Sequence, residues 1–293
     1  MARWTQRPRK ETLKAGNDRL TLLGRYFARG VPYVLPKDEA EINRLDFQHY
    51  MLRQYLRGNY AAPIRRPKAI LDVGTGTGQW AIEMADLFPD AQVVGVDVIV
   101  PPADERGSKA ARPANYAFVT ANVLESLPLA DRSFDYVHQR LLASAIPAAR
   151  WKDVIAELVR VTAPGGWIEL IEAELIKDSG PANREVQGWA KTLCAQRGID
   201  LENAAALAPI MRQLGLQRVR EQVLNIPIGK HGGHIGRMAA ADLHAAGTGI
   251  RSILLAHGIT SPEAYDAATE AAQIEMDTYH PHWPFYIVTG QRA

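Results

Sequence analysis

The sequence has little cysteine: Cys194 is the only one among 293 residues. A framework of internal disulfides is thereby excluded, as is any cysteine-rich zinc or iron–sulfur site. The surrounding LCAQRG supplies no motif for a reactive thiol, so Cys194 is expected to be a small core residue. There is also no apolar run near the ~20 residues that a membrane span requires. The start, MARWTQRPRK, is basic with no apolar stretch behind it. A cytoplasmic protein with no membrane partner is the expectation.

What is present is the composition of an ordinary globular chain, 47% hydrophobic and 23% charged, which can bury a core without covalent staples. The net charge of +2 hides an asymmetry. Residues 1–70 carry 15 Lys/Arg against 6 Asp/Glu, and the remainder 19 against 26. Solvated helix faces, or a homo-oligomer contact made through the N-terminal helices, account for that more simply than an anionic partner.

Residues 1–10 read as a basic tail, and the pattern is helical from there to about Tyr60. Asp38 is placed to cap a helix with Glu41 three residues on, and EINRLDFQHYMLRQYLR sets Ile42, Leu45, Leu52 and Leu56 on one face. Pro63 and Pro67 mark a boundary. From Lys68 the period changes. AILDVG, VVGVDV, YAFVTANV, FDYVHQR and WIELIEAEL read as strands, GQWAIEMADLF and WKDVIAELVRVT as helices, and Pro164–Gly165–Gly166 as a turn. Such alternation implies an α/β fold with a mainly parallel, doubly wound sheet. The expected division is a tail and helical lid over 1–62, a sheet core over 63–183, and over 184–293 the rest of the sheet with a helical cap at about 229–283, ahead of the final strand PFYIVTG.

In ILDVGTGTGQW, Gly74, Gly76 and Gly78 stand where a buried strand turns into a helix. Glycine there allows a tight turn and lets a ligand approach the main chain. Asp97 ends the next strand, where its carboxylate can accept hydrogen bonds from both hydroxyls of an adenosine ribose. NAD and S-adenosylmethionine (SAM) sites share that device. Gln79 stands where the dinucleotide fingerprint wants a third small residue, and Asp72, two residues before the first glycine, can engage the ammonium of a methionine moiety, which NAD lacks. Both details favour SAM.

The stretch ILDVGTGTGQWAIEMADLFPDAQVVGVDV resembles the first motif of the class I SAM-dependent methyltransferases. YVLPKDEAEINRLDFQHYMLR, SFDYVHQRLLA and APGGWIEL are similar to their LaeA-like subgroup, often tied to secondary metabolism. The resemblance spans roughly residues 31–175. It implies a Rossmann-like, seven-stranded, mainly parallel sheet. Asp72, Gly74, Thr75, Gly76 and Gly78 would cradle the methionine part of SAM, Asp97 the ribose, and Asn122 and Val123 the adenine, with Asn122 in place of the common Asp. Gln139 would lie beside the sulfonium together with His138 and Arg140, and Tyr33, Gln48 and His49 would cover the cofactor.

Methyl transfer from a sulfonium is an in-line displacement, so alignment and exclusion of water are the main tasks, and a base is optional. His138 and Glu172 are the candidate bases, followed by His231, His234, His244 and His257. The HGGH run is a weak ligand set, and no metal is expected. The acceptor is expected to be a small organic molecule, a secondary metabolite methylated on oxygen, nitrogen or carbon. Two other readings stay open: a SAM-binding regulatory protein without turnover, and an NAD-type oxidoreductase, which lacks a recognisable dyad. No D/N-P-P-Y/F motif is present, so no nucleic-acid partner is expected.

Overall fold

The computed structural model describes residues 19–22, 25–28, 33–99 and 112–293; the expected basic tail lies outside them. The helical expectation that began after that tail is corrected at once. Strands β1 (Arg19–Leu22) and β2 (Arg25–Ala28) pair antiparallel. Phe27 of β2 is buried with Val34, Leu193 and Ile250, a tertiary contact that overrides local preference. Helix α1 (Glu39–Leu56) then starts where expected: Asp38 accepts a hydrogen bond from the Glu41 amide at 3.1 Å and pairs with Arg25, satisfying an otherwise orphaned helix donor.

A seven-stranded sheet follows. Its strands are β3 (Ala69–Val73), β4 (Gln92–Asp97), β5 (Tyr116–Thr120), β6 (Phe134–Arg140), β7 (Thr162–Ala173), β8 (Gln217–Pro227) and β9 (His282–Gln291). Their order is β5-β4-β3-β6-β7-β9-β8, parallel except for β9, which runs antiparallel to both neighbours. Helix α2 (Gln79–Leu87) follows β3, and α3 (Trp151–Val161) precedes β7. β7 begins five residues earlier than WIELIEAEL suggested. Pro164–Gly165–Gly166 is absorbed as a bulge rather than forming a separate turn: Phe134 pairs with Thr162 and Tyr136 with Trp167, while Gly165 takes φ 78°. After β7 come α4 (Pro181–Ala195) and α5 (Leu207–Gln213), and the expected cap appears between β8 and β9 as α6 (Gly233–Ala256) and α7 (Pro262–Tyr279). Among the described residues no helix is long and apolar enough to cross a membrane.

Strands buried on both sides need two apolar layers. One face packs Leu71, Val137 and Leu170 against Ile155 and Leu158 of α3 and Met211 of α5. The other packs Ile70, Val93 and Tyr136 against Trp80, Ala81 and Met84 of α2. Helix α1 joins a third cluster, in which Met51 and Leu52 meet Ile171, Ile226, Ala239 and Phe285. Both side chains are fully buried, each worth about 1.5–3 kcal/mol. The helix is thus part of the core at its second half.

Its first half departs from the sequence reading. The buried residues there are Glu41, Arg44, Gln48 and His49 rather than an aliphatic stripe. They are tolerated because they are paired. Arg44 makes a two-pronged contact with Glu41 at 2.7 and 2.8 Å and reaches Asp242 of α6 at 2.8 Å, and Gln48 donates to the same Asp242 at 2.7 Å.

Candidate active site

The chain runs from β3 outward to β4 and β5, then returns to β6 on the opposite side of β3. Ligands of open α/β sheets bind at such a reversal, off the carboxyl ends of the strands. A cavity of about 670 Å³ opens there. One end is made by Asp72, the loop Gly74–Thr77, Asp97, Asn122 and Val123, with Leu142 packed on Gly74; the other by side chains of α4, α6 and α7, among them Val186, Ala190, Leu243, Ala246, Ile250 and Met276.

All three loop glycines have positive φ, at 71°, 57° and 83°, but their surroundings differ. A Cβ on Gly74 would lie 2.6 Å from Leu142 Cδ2, so that glycine allows close packing of the β6 loop. On Gly76 it would meet only Leu45 Cδ1, at 3.9 Å: the missing side chain leaves room that belongs to the cavity. Gly78 caps the start of α2 in a left-handed turn and lies outside the cavity lining.

The acidic residues are held by the loop. Asp97 accepts from the Gly76 amide at 2.9 Å and the Ile99 amide at 3.1 Å. Asp72, buried, accepts from Thr75 Oγ1 at 2.6 Å and lies 2.8 Å from His138 Nδ1. Asn122 accepts from the Leu124 amide at 3.0 Å. Thr77 Oγ1 donates to Asp46 at 2.6 Å and so ties the loop to α1.

Register settles which strand residues share a face. Asp72 pairs with His138, and His138 with Glu169, a polar row across three adjacent strands. Trp80 stacks on His138 at 3.8 Å and 6°. The Nδ1 of His138 is engaged by Asp72. Its Nε2 is buried, with no hydrogen-bond partner among the described residues. His138 lines the cavity with its Nδ1 held by Asp72, so the geometry shows it as an orienting partner of that carboxylate. Glu172 also carries a structural load. Its oxygens accept from Gln139 Nε2 at 2.9 Å and from the Leu142 and Ala143 amides at 2.8 and 2.9 Å, so its carboxylate shapes the loop after β6. Burial raises its pKa to about 7, against the three donors. Gln139 lies on the opposite sheet face from His138, fully buried and outside the cavity lining.

Tyr33, Gln48 and His49 all line the cavity. Tyr33 donates to Glu41 at 3.3 Å, and burial beside that carboxylate raises its pKa. His49 Nδ1 is 3.1 Å from Arg140 Nη2; its Nε2 is 3.2 Å from Glu83 Oε2, out of line for a hydrogen bond. Burial and the Arg140 charge lower its pKa to about 4, so its ring is neutral near pH 7. Of the histidines after β8, His244 lines the cavity, with Nδ1 2.8 Å from Gln273 Nε2, while His231, His234 and His257 do not. Cys194 is buried and lines the cavity's far end, and burial raises its thiol pKa to about 11. Missed from sequence were Glu41, Arg44 and Asp242. The charged residues within helical stretches were visible, but their pairing was not.

A glycine loop at the reversal of a β5-β4-β3-β6-β7-β9-β8 sheet, with carboxylates at the carboxyl ends of β3 and β4, defines an adenosine-type cofactor site on a Rossmann-like fold. Residues 70–166 match the model of a methyltransferase domain. The chain is 30% identical to an N-methyltransferase of Clonostachys rogersoniana, over 68% of this chain and 70% of that one. It is 34% identical to a secondary metabolism regulator of Cochliobolus heterostrophus, over 69% and 67%. It spans about half the length of the curated relatives that it matches at 38% identity. The fold is shared with a phosphoethanolamine N-methyltransferase of Haemonchus contortus solved with S-adenosyl-L-methionine, at TM-score 0.52 and 19% identity, covering 85% of this chain and 52% of that one. This chain belongs to the class I SAM-dependent methyltransferases.

Proposed function

We propose that the protein binds SAM at the loop end of the cavity and transfers its methyl group to a small, largely apolar organic acceptor held at the cap end. The observation that carries this reading is the single cavity that joins Asp72, Gly76 and Asp97 to the aliphatic walls of α4, α6 and α7. The residues fit the cofactor: the space at Gly76 is open, and Asp97 faces the cavity with its oxygens already ordered by two amides. In this assignment Asp72 takes the ammonium, Asp97 the ribose hydroxyls, and Asn122 and Val123 border the adenine. When bound, SAM supplies an electrophilic methyl carbon. The chain's residues align the acceptor with it and keep water out, α1 forming the cover with Tyr33, Leu45 and Gln48. A relative named as an N-methyltransferase makes a nitrogen acceptor the first to try. For a protonated amine, His244 at the cap end is a side chain able to accept the proton.

The test is calorimetric titration with S-adenosylhomocysteine (SAH), followed by incubation with methyl-labelled SAM and a metabolite extract. Micromolar binding and a labelled small molecule are expected. Binding without any labelled product would favour a regulatory role, and absence of binding would overturn the cofactor assignment.

A further inference from the structure

Arg140 is a cation that the fold places in the cavity with no ion-paired carboxylate among the described residues. It lies two residues beyond His138 on β6, so its side chain leaves the sheet on the face shared by His138 and Asp72, one pleat nearer the cavity mouth. The residue lines the cavity. A guanidinium has five N–H donors in a planar fork. Among the described residues, its one hydrogen-bond partner is the Nδ1 of His49, at 3.1 Å.

None of the neighbouring carboxylates forms an ion pair with Arg140. Asp72 accepts from Thr75 and faces His138, Glu169 accepts the amides of Ala61 and Ala62 through Oε2 while its Oε1 has no hydrogen-bond partner among the described residues, and Glu83 accepts from Arg53 and Asn59. Burial works against the Arg140 charge, opposed by those same three carboxylates at longer range. A guanidinium left this way beside a sulfonium would repel it, unless the bound molecule also brings an anion that pairs with it.

We infer that Arg140 receives the α-carboxylate of the methionine moiety of SAM, completing with Asp72 a matched pair for its zwitterionic amino-acid end. This rests on the cofactor reading above. The ammonium goes to the buried carboxylate on β3 and the carboxylate to the guanidinium diagonally across on β6, so the amino-acid end is read by two adjacent strands rather than by the glycine loop alone. His49 is then a positioning residue. Its neutral ring accepts from one nitrogen of Arg140 and leaves the others turned to the cavity, where a fork can meet both oxygens of a carboxylate.

The experiment compares SAH with S-adenosyl-3-thiopropylamine, the same molecule without its carboxylate, by calorimetry on the full chain and on R140M. The wild type is expected to prefer SAH by roughly 30-fold or more, as for a charge-assisted bidentate contact. R140M should bind the two ligands within about threefold of each other, with affinity for the decarboxylated ligand retained. R140K, which keeps the charge but loses the fork, should hold an intermediate preference, and it serves as the test should R140M fail to fold. Full wild-type preference in either variant overturns the assignment of Arg140 alone. A wild type that binds neither ligand overturns the cofactor reading itself, and this inference with it.

Discussion

The two ends of the cavity are built from different materials. At the loop end the ligand-facing groups are backbone turns and carboxylates whose positions are set by amides and strand register: Gly76, Asp97 with two amide donors, and Asp72 against His138. At the cap end they are aliphatic side chains on α4, α6 and α7, with polar groups such as Asn183, Gln187 and His244 spaced among them. A site that must recognise one fixed molecule is made of donors and acceptors that cannot move. A site that must fit an acceptor by shape can be made of packing alone. Specificity for the acceptor should therefore be easy to change without touching the other end.

Four substitutions would break or sharpen that contrast. The largest effect is expected from Gly76→Val, which puts a branched side chain into the open space and onto a left-handed backbone. SAH affinity should fall at least ~1000-fold, about 4 kcal/mol, with the circular dichroism spectrum kept. A folded variant with normal binding would show that the loop end is not the cofactor end. Next is Arg44→Met, which strips the partner from two buried carboxylates, Glu41 and Asp242. Loss of about 3–5 kcal/mol of stability in urea unfolding is expected; a change below 1 kcal/mol would mean that the two ends are not fastened together there. Asp97→Ala should cost about 2–4 kcal/mol in SAH binding, ~30-fold to ~1000-fold. Stability should drop far less, because Gly76 and Asp97 border a cavity that water can enter. Unchanged affinity would remove the ribose assignment. The smallest effect on the cofactor is expected from Ala246→Phe on the cap: SAH affinity within about twofold and stability within about 1 kcal/mol, but methyl transfer to the wild-type acceptor lost. Unaltered transfer would place the acceptor elsewhere.

The same contrast explains what could be read from sequence. The presence of the sheet strands from β3 on and the glycine loop was legible because it rests on local signals: β-branched runs, glycines at a strand–helix junction, an acidic residue closing a strand, and Asp38 three residues ahead of Glu41; the limits of β7 and the strands β1 and β2 were not. The orientation of Gln139 was not legible. β6 is buried on both faces and shows no polar–apolar alternation that would say which side chains look into the cavity. His138 and Glu172 were expected as bases because they stand near the sheet's mouth, but their partners, Asp72 and the amides of Leu142 and Ala143, come from other strands and loops. The polar half of α1 failed as an aliphatic stripe for the same reason. Its decisive partner, Asp242, lies 198 residues from Arg44, and no local pattern announces it.

That separation has a consequence in time as well as space. Arg44 of α1 and Asp242 of α6 stand 198 residues apart in the chain, and contacts so distant in sequence are slow to close. The wall that α6 contributes cannot stand until they do. A chain without α6 would lack the side chains that this helix contributes to the cavity. The Arg44–Asp242 contact thus makes the cavity a product of long-range closure: a loop built from residues near in sequence gains its α6 wall only where two distant helices meet.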